Sequence, residues 1–374
     1  MSDHRIEQLR VHRINIPGKA VHSHGIGDVA GIHTVILELI TDTGLTGWGE
    51  AATWPAFTGT AEAALAALHV YLRPHIVGAD PVQVEPLMKT AETAVVGHPE
   101  AKAALEMALL DLAGKISGLS VSELVGGRMR EDMGLSFSVA NPDFGKDLED
   151  VAEMWADGVR IFKIKTGFRG HDFDLMRLER LRADYGAEAD LRIDYNQGLT
   201  AFDAVRHIRD LEAFRPTFVE QPVKMHERET LAHIAHVIDT PIMADESVFG
   251  VREALYGVQI RMADIFSLKV FKAGGIRRAL EVAAIARAAG IEVYGGCMFE
   301  TGLAHAAGAH LMAALPELRL DCEFYMSRYY AAEDILTAPF PVEAGRVHVP
   351  KGPGLGVEVD PAQLAKYAVE PALG

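Results

Sequence analysis

Seven charged residues stand out in the second half of the sequence, because each comes at the end of a short apolar segment. They are Lys163, Lys165, Asp194, Glu220, Asp245, Lys269 and Glu323. The steps from Lys165 to Lys269 are 29, 26, 25 and 24 residues, and each step has the length of one strand followed by one helix. In a barrel of parallel strands, this spacing places all seven side chains at the rim formed by the carboxyl ends of the strands, where barrel active sites lie.

Three of these residues are carboxylates on consecutive predicted strands, and we expect Asp194, Glu220 and Asp245 to converge on one point. A single acid after a strand is usually a helix cap or a surface charge. Three buried carboxylates in register repel one another unless a cation lies between them, and all-oxygen ligands favour Mg²⁺, or Mn²⁺, over zinc. The sequence therefore predicts a divalent metal site. The residues expected to orient its ligands lie one or two positions after them in the sequence: Asn196, Gln221 and Glu246.

The lysines of this set indicate proton transfer beside the metal. Lys163 and Lys165 are two residues apart in the segment IFKIK, so they share one face of a strand. Two ammonium groups this close disfavour the protonated form of one of them, which suits that lysine to act as a base. Lys269 comes from the far side of the predicted barrel, and we expect it to face this pair. Lys272 has the weaker claim because it falls in the following turn.

Composition narrows the classes of protein. The chain has 374 residues and a formal net charge of -16, so nucleic acid and anionic membrane surfaces are poor partners. A small anionic substrate is still acceptable where a metal or lysines reverse the local charge. The two cysteines, Cys297 and Cys322, are too few for a disulfide framework and favour a reducing cytoplasm. The charged first ten residues predict no signal peptide, and no apolar run approaches the ~20 residues of a membrane-spanning helix.

The first third of the chain differs in pattern from the rest. Residues 1–130 are predicted to form an α+β unit. Within it, 6–16 alternates like a strand and 33–51 predicts a hairpin. Helical patterns then begin at Ala61 and at Pro99, and the second of them ends at a glycine.

After residue 130, short apolar strands alternate with helical stretches, a pattern that predicts a parallel sheet with crossover helices. Eight such units indicate a closed barrel, to which we assign residues 131–328. Residues 329–374 are too few for a domain and are expected to pack back on the N-terminal unit. The predicted barrel strands are 135–140, 159–165, 189–195, 216–222, 241–247, 264–270, 291–296 and a last one near 318–324.

Over essentially its full length the chain resembles the enolase superfamily, and within it the muconate-cycloisomerase-like (muconate lactonizing enzyme) subgroup. The motifs that carry the resemblance are GWGEA (47–51), FKIK (162–165), IDYNQ (193–197), VEQP (219–222), ADES (244–247), LKVFKAGGI (268–276) and GPGLGVEVD (352–360). The resemblance implies an α/β fold: a modified TIM barrel, (β/α)7β, with an α+β N-terminal capping domain. It also implies a symmetric homo-oligomer, either an octamer or a dimer.

The same resemblance assigns roles to the rim residues. It implies that the three carboxylates hold Mg²⁺ and that Lys165 and Lys269 act as acid and base on opposite faces of a small carboxylate substrate. Lys163 would hold the substrate carboxylate. Removal of a proton next to a carboxylate produces a dianionic enediolate, and a metal on the carboxylate oxygens stabilises that charge as it develops.

The rim residues are common to the subgroup, so the choice of substrate depends on other positions. We favour cycloisomerisation of cis,cis-muconate to muconolactone; the alternative is racemisation or epimerisation of N-acylamino acids, dipeptides or other amino-acid derivatives by two lysine bases. Muconate cycloisomerases carry a single acid on the last barrel strand, and Glu323 resembles it. Dipeptide epimerases carry two acids separated by one residue, and Asp321 with Glu323 resembles that pattern as well. The capping domain is predicted to contribute two loops, 17–27 and 51–60. Cationic groups in loop 17–27 would suit a second carboxylate of the substrate. The loop residues expected near the substrate are Lys19, His22, His24, Trp54 and Phe57.

Overall fold

The computed structural model describes residues 2–374, and its N-terminal part is an antiparallel sheet packed against helices. The strands pair in the order β1-β2-β3, and together with the first five helices they form the capping domain. The strands are β1 (Ile6–His24), β2 (Gly27–Thr41) and β3 (Thr46–Ala52). The helices are α1 (Ala61–Ala66), a π-helical segment (Ala67–Leu72), α2 (Arg73–Ile76), α3 (Val84–Ala94), α4 (Pro99–Ser117) and α5 (Val121–Leu124).

The segment 17–27, predicted as a loop, is instead the end of the β1–β2 hairpin. The two strands stay paired as far as His24 and Gly27, and the turn consists of the two residues between them. Their register slips between Pro17 and His22, where Gly18 makes a bridge with Ala331 of the C-terminal part of the chain instead. Both histidines therefore stand on a strand pair rather than on an irregular loop.

Strand β3 packs directly on α4, and two glycines make that approach possible. A Cβ on Gly49 would lie 1.9 Å from the backbone oxygen of Ala104, and a Cβ on Gly47 would lie 2.4 Å from that of Ala108. Because side chains alternate across a strand, the glycines face α4 while Glu50 faces the barrel. The two glycines of the GWGEA motif are therefore packing residues.

The second domain is a barrel whose strands follow one another in sequence order, with helices between them. A short strand, β4 (Asp132–Gly134), precedes it. The barrel strands are β5 (Ser136–Val139), β6 (Ile161–Lys165), β7 (Asp190–Asp194), β8 (Val219–Glu220), β9 (Ile242–Ala244), β10 (Ile265–Leu268) and β11 (Glu292–Gly295). The helical segments are α6 (Phe144–Ala156), α7 (His171–Tyr185), a 3-10 turn (Gly186–Glu188), α8 (Ala204–Glu212), α9 (Arg228–Val237), α10 (Val251–Gln259), α11 (Val270–Ala273), α12 (Ile276–Ala288), α13 (Gly302–Ala314) and a π-helical segment (Met326–Tyr330).

The barrel closes through a single residue where the sequence predicts an eighth strand near 318–324. Cys322 makes parallel bridges with Leu135 on one side and Gly295 on the other. Asp321 has a φ of 59°, a left-handed conformation that interrupts an extended strand. The predicted fold class, a modified TIM barrel with an α+β capping domain, is confirmed, and the eighth strand is shorter than expected.

The C-terminal residues contact both domains. Strands β12 (Val342–Glu343) and β13 (Arg346–His348) form a small antiparallel sheet with β4, and α14 (Pro361–Tyr367) follows. Beyond α14, Ala368 and Leu373 make antiparallel bridges with β1 of the capping domain. None of the helices in the described part of the chain is long and apolar enough to cross a membrane.

Candidate active site

Lys163, on β6, lies at the centre of the predicted rim and is surrounded by carboxylates. Its Nζ is 3.0 Å from Glu220 Oε2 and 3.4 Å from Asp194 Oδ2, and it also contacts Glu323 Oε2. Burial disfavours its ammonium form, but the charges of Glu220 and Glu323 outweigh burial and raise the pKa of Lys163 well above its usual value. Lys163 is therefore a fixed positive charge at the floor of the site.

Lys165, two residues further along the same strand, faces a different pair of groups. Its Nζ donates to Asp194 Oδ2 at 2.6 Å and to Asn196 Oδ1 at 3.0 Å. Burial alone would raise the pKa of Asp194, but Lys165 and Lys163 lower it to about 2, so this carboxylate is ionised. The backbone N–H of Asn196 donates to Asp194 Oδ1 at 2.8 Å, which holds the carboxylate in one orientation.

On the opposite side of the barrel, two lysines share the carboxylate of Asp245. Lys269, directly after β10, donates to Asp245 Oδ2 at 2.6 Å, and Lys272 donates to Asp245 Oδ1 at 2.8 Å. Burial opposes ionisation here, but the two lysines hold the pKa of Asp245 well below its usual value. Because β6 and β10 are four strands apart in the closed barrel, Lys165 and Lys269 face each other across the rim.

Lys272 belongs to the site more firmly than its sequence position indicates. The short helix α11 begins directly after Lys269 and brings Lys272 back beside Asp245, one turn later. Its Nζ also donates to the backbone oxygens of Asp245 at 2.7 Å and of Ser267 at 2.8 Å. With the side chain 2% exposed, all three ammonium protons have an acceptor. The lysines of LKVFK are three residues apart, and this spacing would predict that both reach the site only if the segment between them is helical.

Two carboxylate oxygens in the site are buried without a hydrogen-bond partner: Glu220 Oε1 and Glu246 Oε2. Burial and the charge of Asp194 raise the pKa of Glu220 well above its usual value, and burial and the charge of Asp245 raise the pKa of Glu246 to about 7. Asn196 Nδ2 donates to the other oxygen of Glu246 at 3.4 Å. Buried oxygens without a partner are unfavourable, so a cation would be stabilised beside them.

The three predicted metal ligands are each paired with a lysine in this structure. Among residues 2–374, no group of three or more His, Cys, Asp and Glu side chains stands in a metal-binding arrangement. Asp194 and Asp245 each have a lysine Nζ at 2.6 Å, and Glu220 has one at 3.0 Å. The ammonium groups occupy the neighbourhood that the sequence assigns to a cation, and the ligand set stays a prediction.

Of the two acids in the last barrel segment, Glu323 faces the rim and Asp321 does not. Glu323 contacts Lys163 and accepts the backbone N–H of Cys297 at 2.9 Å. Asp321 instead accepts the backbone N–H of Gly134 at 2.8 Å, at the end of β4. Residues i and i+2 share a face only in an extended strand, and the left-handed backbone at Asp321 breaks that geometry. The acid-x-acid pair therefore does not form in the site.

A small cavity of about 30 Å³ lies among the rim residues, and the capping domain covers it. The capping domain contributes His24, Trp54 and Phe57. The rings of His24 and Trp54 are 5.2 Å apart, and Lys269 Nζ lies 5.1 Å from the centre of the Phe57 ring, within cation–π range. The barrel side chains in the wall that sequence reasoning missed are Ser138, Cys297, Met298, Phe299 and Met326. Ser138 is on β5, Met326 begins the second π-helical segment, and the other three lie in the connection after β11; none belongs to a charged or regularly spaced pattern.

The histidines of the β1–β2 hairpin lie in surroundings that disfavour their cationic form. His22 lies behind the cavity wall, with its ring 4.4 Å from that of Tyr330, while His24 lines the cavity. Burial lowers the pKa of His22 to about 3 and that of His24 well below its usual value. Lys19 is exposed and donates to the backbone oxygen of Arg328 at 3.4 Å. Burial among aromatic rings therefore disfavours the cationic form of both histidines, and their role toward a second carboxylate stays a prediction.

A closed barrel whose rim carries buried carboxylates between opposed lysines, beneath the aromatic side chains of a capping domain, defines an enolase-type site for proton transfer next to a carboxylate. The family model described as "Mandelate racemase / muconate lactonizing enzyme, N-terminal domain" matches residues 11–126, and the model "Enolase C-terminal domain-like" matches residues 146–363. The chain belongs to the mandelate racemase / muconate lactonizing enzyme family of the enolase superfamily, which confirms the resemblance.

Relatives and solved structures match the whole chain. A chloromuconate cycloisomerase of Cupriavidus pinatubonensis is 32% identical over 370 residues, which cover 97% of this chain and 99% of the relative. An L-Ala-D/L-Glu epimerase of Clostridium acetobutylicum is 32% identical over 361 residues, which cover 94% and 98%. The crystal structure of a muconate cycloisomerase from Azorhizobium caulinodans superimposes with a TM-score of 0.86 at 44% identity and 99% coverage of each chain. These similarities identify the chain as an enzyme of the isomerase class.

Proposed function

We propose that this protein is a muconate cycloisomerase, which converts cis,cis-muconate to muconolactone. The observation that carries the proposal is the single acid at the end of the barrel: Glu323 reaches Lys163, while Asp321 is bound to the backbone of Gly134. A single acid at this position is the pattern that the resemblance associates with cycloisomerases. The 44% identity with a muconate cycloisomerase structure supports the same choice.

The second candidate is a racemase or epimerase of amino-acid derivatives. It is favoured by the position of Lys165 and Lys269 on opposite sides of the rim, because a two-base reaction needs one base on each face of the α-carbon. In that reaction one lysine takes the α-proton and the other delivers a proton to the opposite face. The similarity to an L-Ala-D/L-Glu epimerase supports this candidate.

We further propose that Asp194, Glu220 and Asp245 hold Mg²⁺, with Mn²⁺ as a substitute, and that Asn196 and Glu246 orient them. The donor set is all oxygen, as hard cations prefer. The buried, unpartnered oxygens of Glu220 and Glu246 are acceptors that such a cation would satisfy. When bound, the cation supplies positive charge beside the substrate carboxylate, which stabilises the negative charge that develops there.

In the proposed cycloisomerisation, the chain's own groups bind the substrate and deliver one proton. Lys163, which lies behind the cavity wall beside Glu323, offers its ammonium to one substrate carboxylate. The other carboxylate forms the new C–O bond, the π electrons of the attacked double bond move to its second carbon, and Lys165 donates its Nζ proton to that carbon. Solvent then restores the proton of Lys165. Trp54 and Phe299, whose rings are 5.9 Å apart, cover the cavity and exclude water.

Deuterium incorporation separates the two candidate reactions. The enzyme, supplied with Mg²⁺, is incubated in D₂O with cis,cis-muconate and, in parallel, with N-acylamino acids and dipeptides. We expect muconate to give a lactone that carries one deuterium at the carbon protonated by Lys165, and the amino-acid derivatives to show no α-deuterium by NMR. Deuterium exchange at the α-carbon, without lactone from muconate, would replace the cycloisomerase proposal by the racemase one.

Lys272→Met tests whether Lys272 positions Asp245 for the proposed metal. Lys269→Met is the matched control, because both variants remove one positive charge beside Asp245 and only Lys272 also binds two backbone oxygens. We expect Lys269→Met to bind Mn²⁺ at least as tightly as the wild type, and Lys272→Met to bind it about 10-fold more weakly than Lys269→Met. Electron paramagnetic resonance of free Mn²⁺ measures both affinities, and equal affinities would contradict a positioning role.

We also propose that the enzyme works in the cytoplasm as a homo-oligomer, either an octamer or a dimer. The two cysteines, Cys297 and Cys322, are buried free thiols, as is usual in a reducing compartment. The oligomer is carried over from the resemblance to the subgroup.

A further inference from the structure

Glu50, on β3 of the capping domain, is fully buried and reaches across to the barrel. Its carboxylate accepts the hydroxyl of Thr301 at 2.6 Å and the backbone N–H groups of Thr301 at 3.1 Å and Ala304 at 3.2 Å. These donors lie at the start of α13, so a carboxylate of one domain caps a helix of the other. The free N–H groups and the dipole of a helix N-terminus both stabilise a carboxylate there.

A second capping-domain carboxylate makes the same kind of contact at the neighbouring helix. Glu106, on α4, accepts the backbone N–H of Arg277 at 3.2 Å, at the start of α12. The fit is close, because a Cβ on Gly275 would lie 2.2 Å from Glu106 Oε2. The capping domain therefore docks on the barrel through the N-termini of two consecutive helices.

The contact made by Glu50 differs from that of Glu106 in what lies next to it. The loop 296–301 joins β11 to α13 and forms part of the cavity wall. The ring of Phe299 in this loop lies 5.5 Å from that of His24 and 5.9 Å from that of Trp54, both in the capping domain. One end of the loop is fixed by β11, and the other end is fixed where Thr301 binds Glu50.

We propose that Glu50 is a positioning residue which, by binding Thr301 from the other domain, fixes the loop 296–301 and with it the shape of the catalytic cavity. Glu50 acts through Thr301 and is not assigned a contact with the substrate. The two glycines on either side of Trp48 let β3 lie against α4 and direct Glu50 toward the barrel. The kinetic part of the test rests on the proposed function, and the exchange part does not.

Asp334 provides a matched control, because it caps the same helix from the C-terminal part of the chain. Its carboxylate oxygens accept the backbone N–H of Gly302 at 3.1 and 3.2 Å. Glu50→Gln and Asp334→Asn each replace one carboxylate at the N-terminus of α13 with an amide of the same shape. Both changes weaken the helix cap, but only Glu50→Gln disturbs the contact between the capping domain and the barrel.

In Glu50→Gln, the new side-chain NH₂ group cannot accept the N–H groups that the carboxylate accepts. We expect the backbone amides of 296–301 and 51–60 to exchange hydrogen at least about 10-fold faster than in the wild type. We also expect KM for muconate to rise about 10-fold while kcat changes less than about 3-fold, because the cavity wall loses its fixed position. Hydrogen-exchange mass spectrometry and steady-state kinetics measure these two effects.

Asp334→Asn should speed exchange in α13 alone and leave KM within about 2-fold of the wild type. Thr301→Val, which removes the hydroxyl donor and keeps both backbone N–H groups, should give the Glu50→Gln changes at smaller size and serves as the test if the Gln variant does not fold. If Glu50→Gln or Thr301→Val behaves like Asp334→Asn in both measurements, Glu50 is a structural cap and the proposal is wrong. If Glu50→Gln shows the faster exchange but the wild type does not turn over muconate, the proposed function is wrong and the positioning role of Glu50 is supported.

Discussion

Lys165→Met should lower kcat for muconate by about 10³-fold, the size expected when a positioned proton donor is removed. Methionine has nearly the length of lysine but has no proton to donate. The electron pair that ring closure moves to the neighbouring carbon is then not protonated, so the ring reopens and lactone does not accumulate. Asp194 loses the nearer of its two ammonium partners in this variant and stays available to a cation, so we expect Mn²⁺ affinity to be equal or higher. Lactone formation followed by ultraviolet absorbance, together with a Mn²⁺ titration, measures the two effects.

Lys269→Met completes this test, because the two candidate reactions use the second lysine differently. A cycloisomerisation protonates one face of the substrate, so Lys269→Met should lose much less turnover than Lys165→Met. A racemase needs both lysines, so each variant would lose racemisation while still exchanging the α-proton of one enantiomer. Normal turnover of muconate by Lys165→Met would contradict the assignment of Lys165 as the proton donor.

The rim of the site is predictable from the sequence because barrel geometry is regular. Each unit of one strand and one helix adds a nearly constant number of residues, so charges that recur at that interval reach the same edge. Lys163, Asp194, Glu220 and Lys269 are positioned in this way, and the structure brings them together. The two-residue spacing of the β6 lysines likewise places both on one face of the strand.

Contacts that depend on one local backbone conformation are not predictable from spacing. Asp321 and Glu323 have the spacing of a strand pair, and the left-handed φ of Asp321 separates them. Lys272 joins the site because the chain after β10 turns into a short helix. Glu50 is part of a recognisable motif, but its bonds to Thr301 depend on how two domains pack.

The lysines of the site bind the same carboxylates that are proposed to hold the metal. Lys165 and Lys269 each donate to a carboxylate oxygen that the proposal assigns to the cation. A cation bound by these carboxylates competes with the ammonium groups for the same oxygens, because both are attracted by the same charge. Loss of the metal is therefore expected to disable the proton-transferring lysines as well as the binding of substrate.

Glu220→Gln is expected to lower turnover by about 10³-fold or more and to weaken Mn²⁺ binding by more than about 100-fold, because it removes one of three charged ligands. Glutamine keeps the side-chain volume, so the barrel is expected to fold. Glu246→Gln is the matched control, because it changes a neighbouring buried carboxylate that is proposed to orient the ligands. We expect its turnover and its Mn²⁺ affinity to fall by about 10-fold to 100-fold. Dialysis of the wild type against EDTA should also abolish turnover, and added Mg²⁺ should restore it. If turnover survives exhaustive chelation, or if both variants bind Mn²⁺ as the wild type does, the three carboxylates serve as counter-ions for the lysines and not as metal ligands.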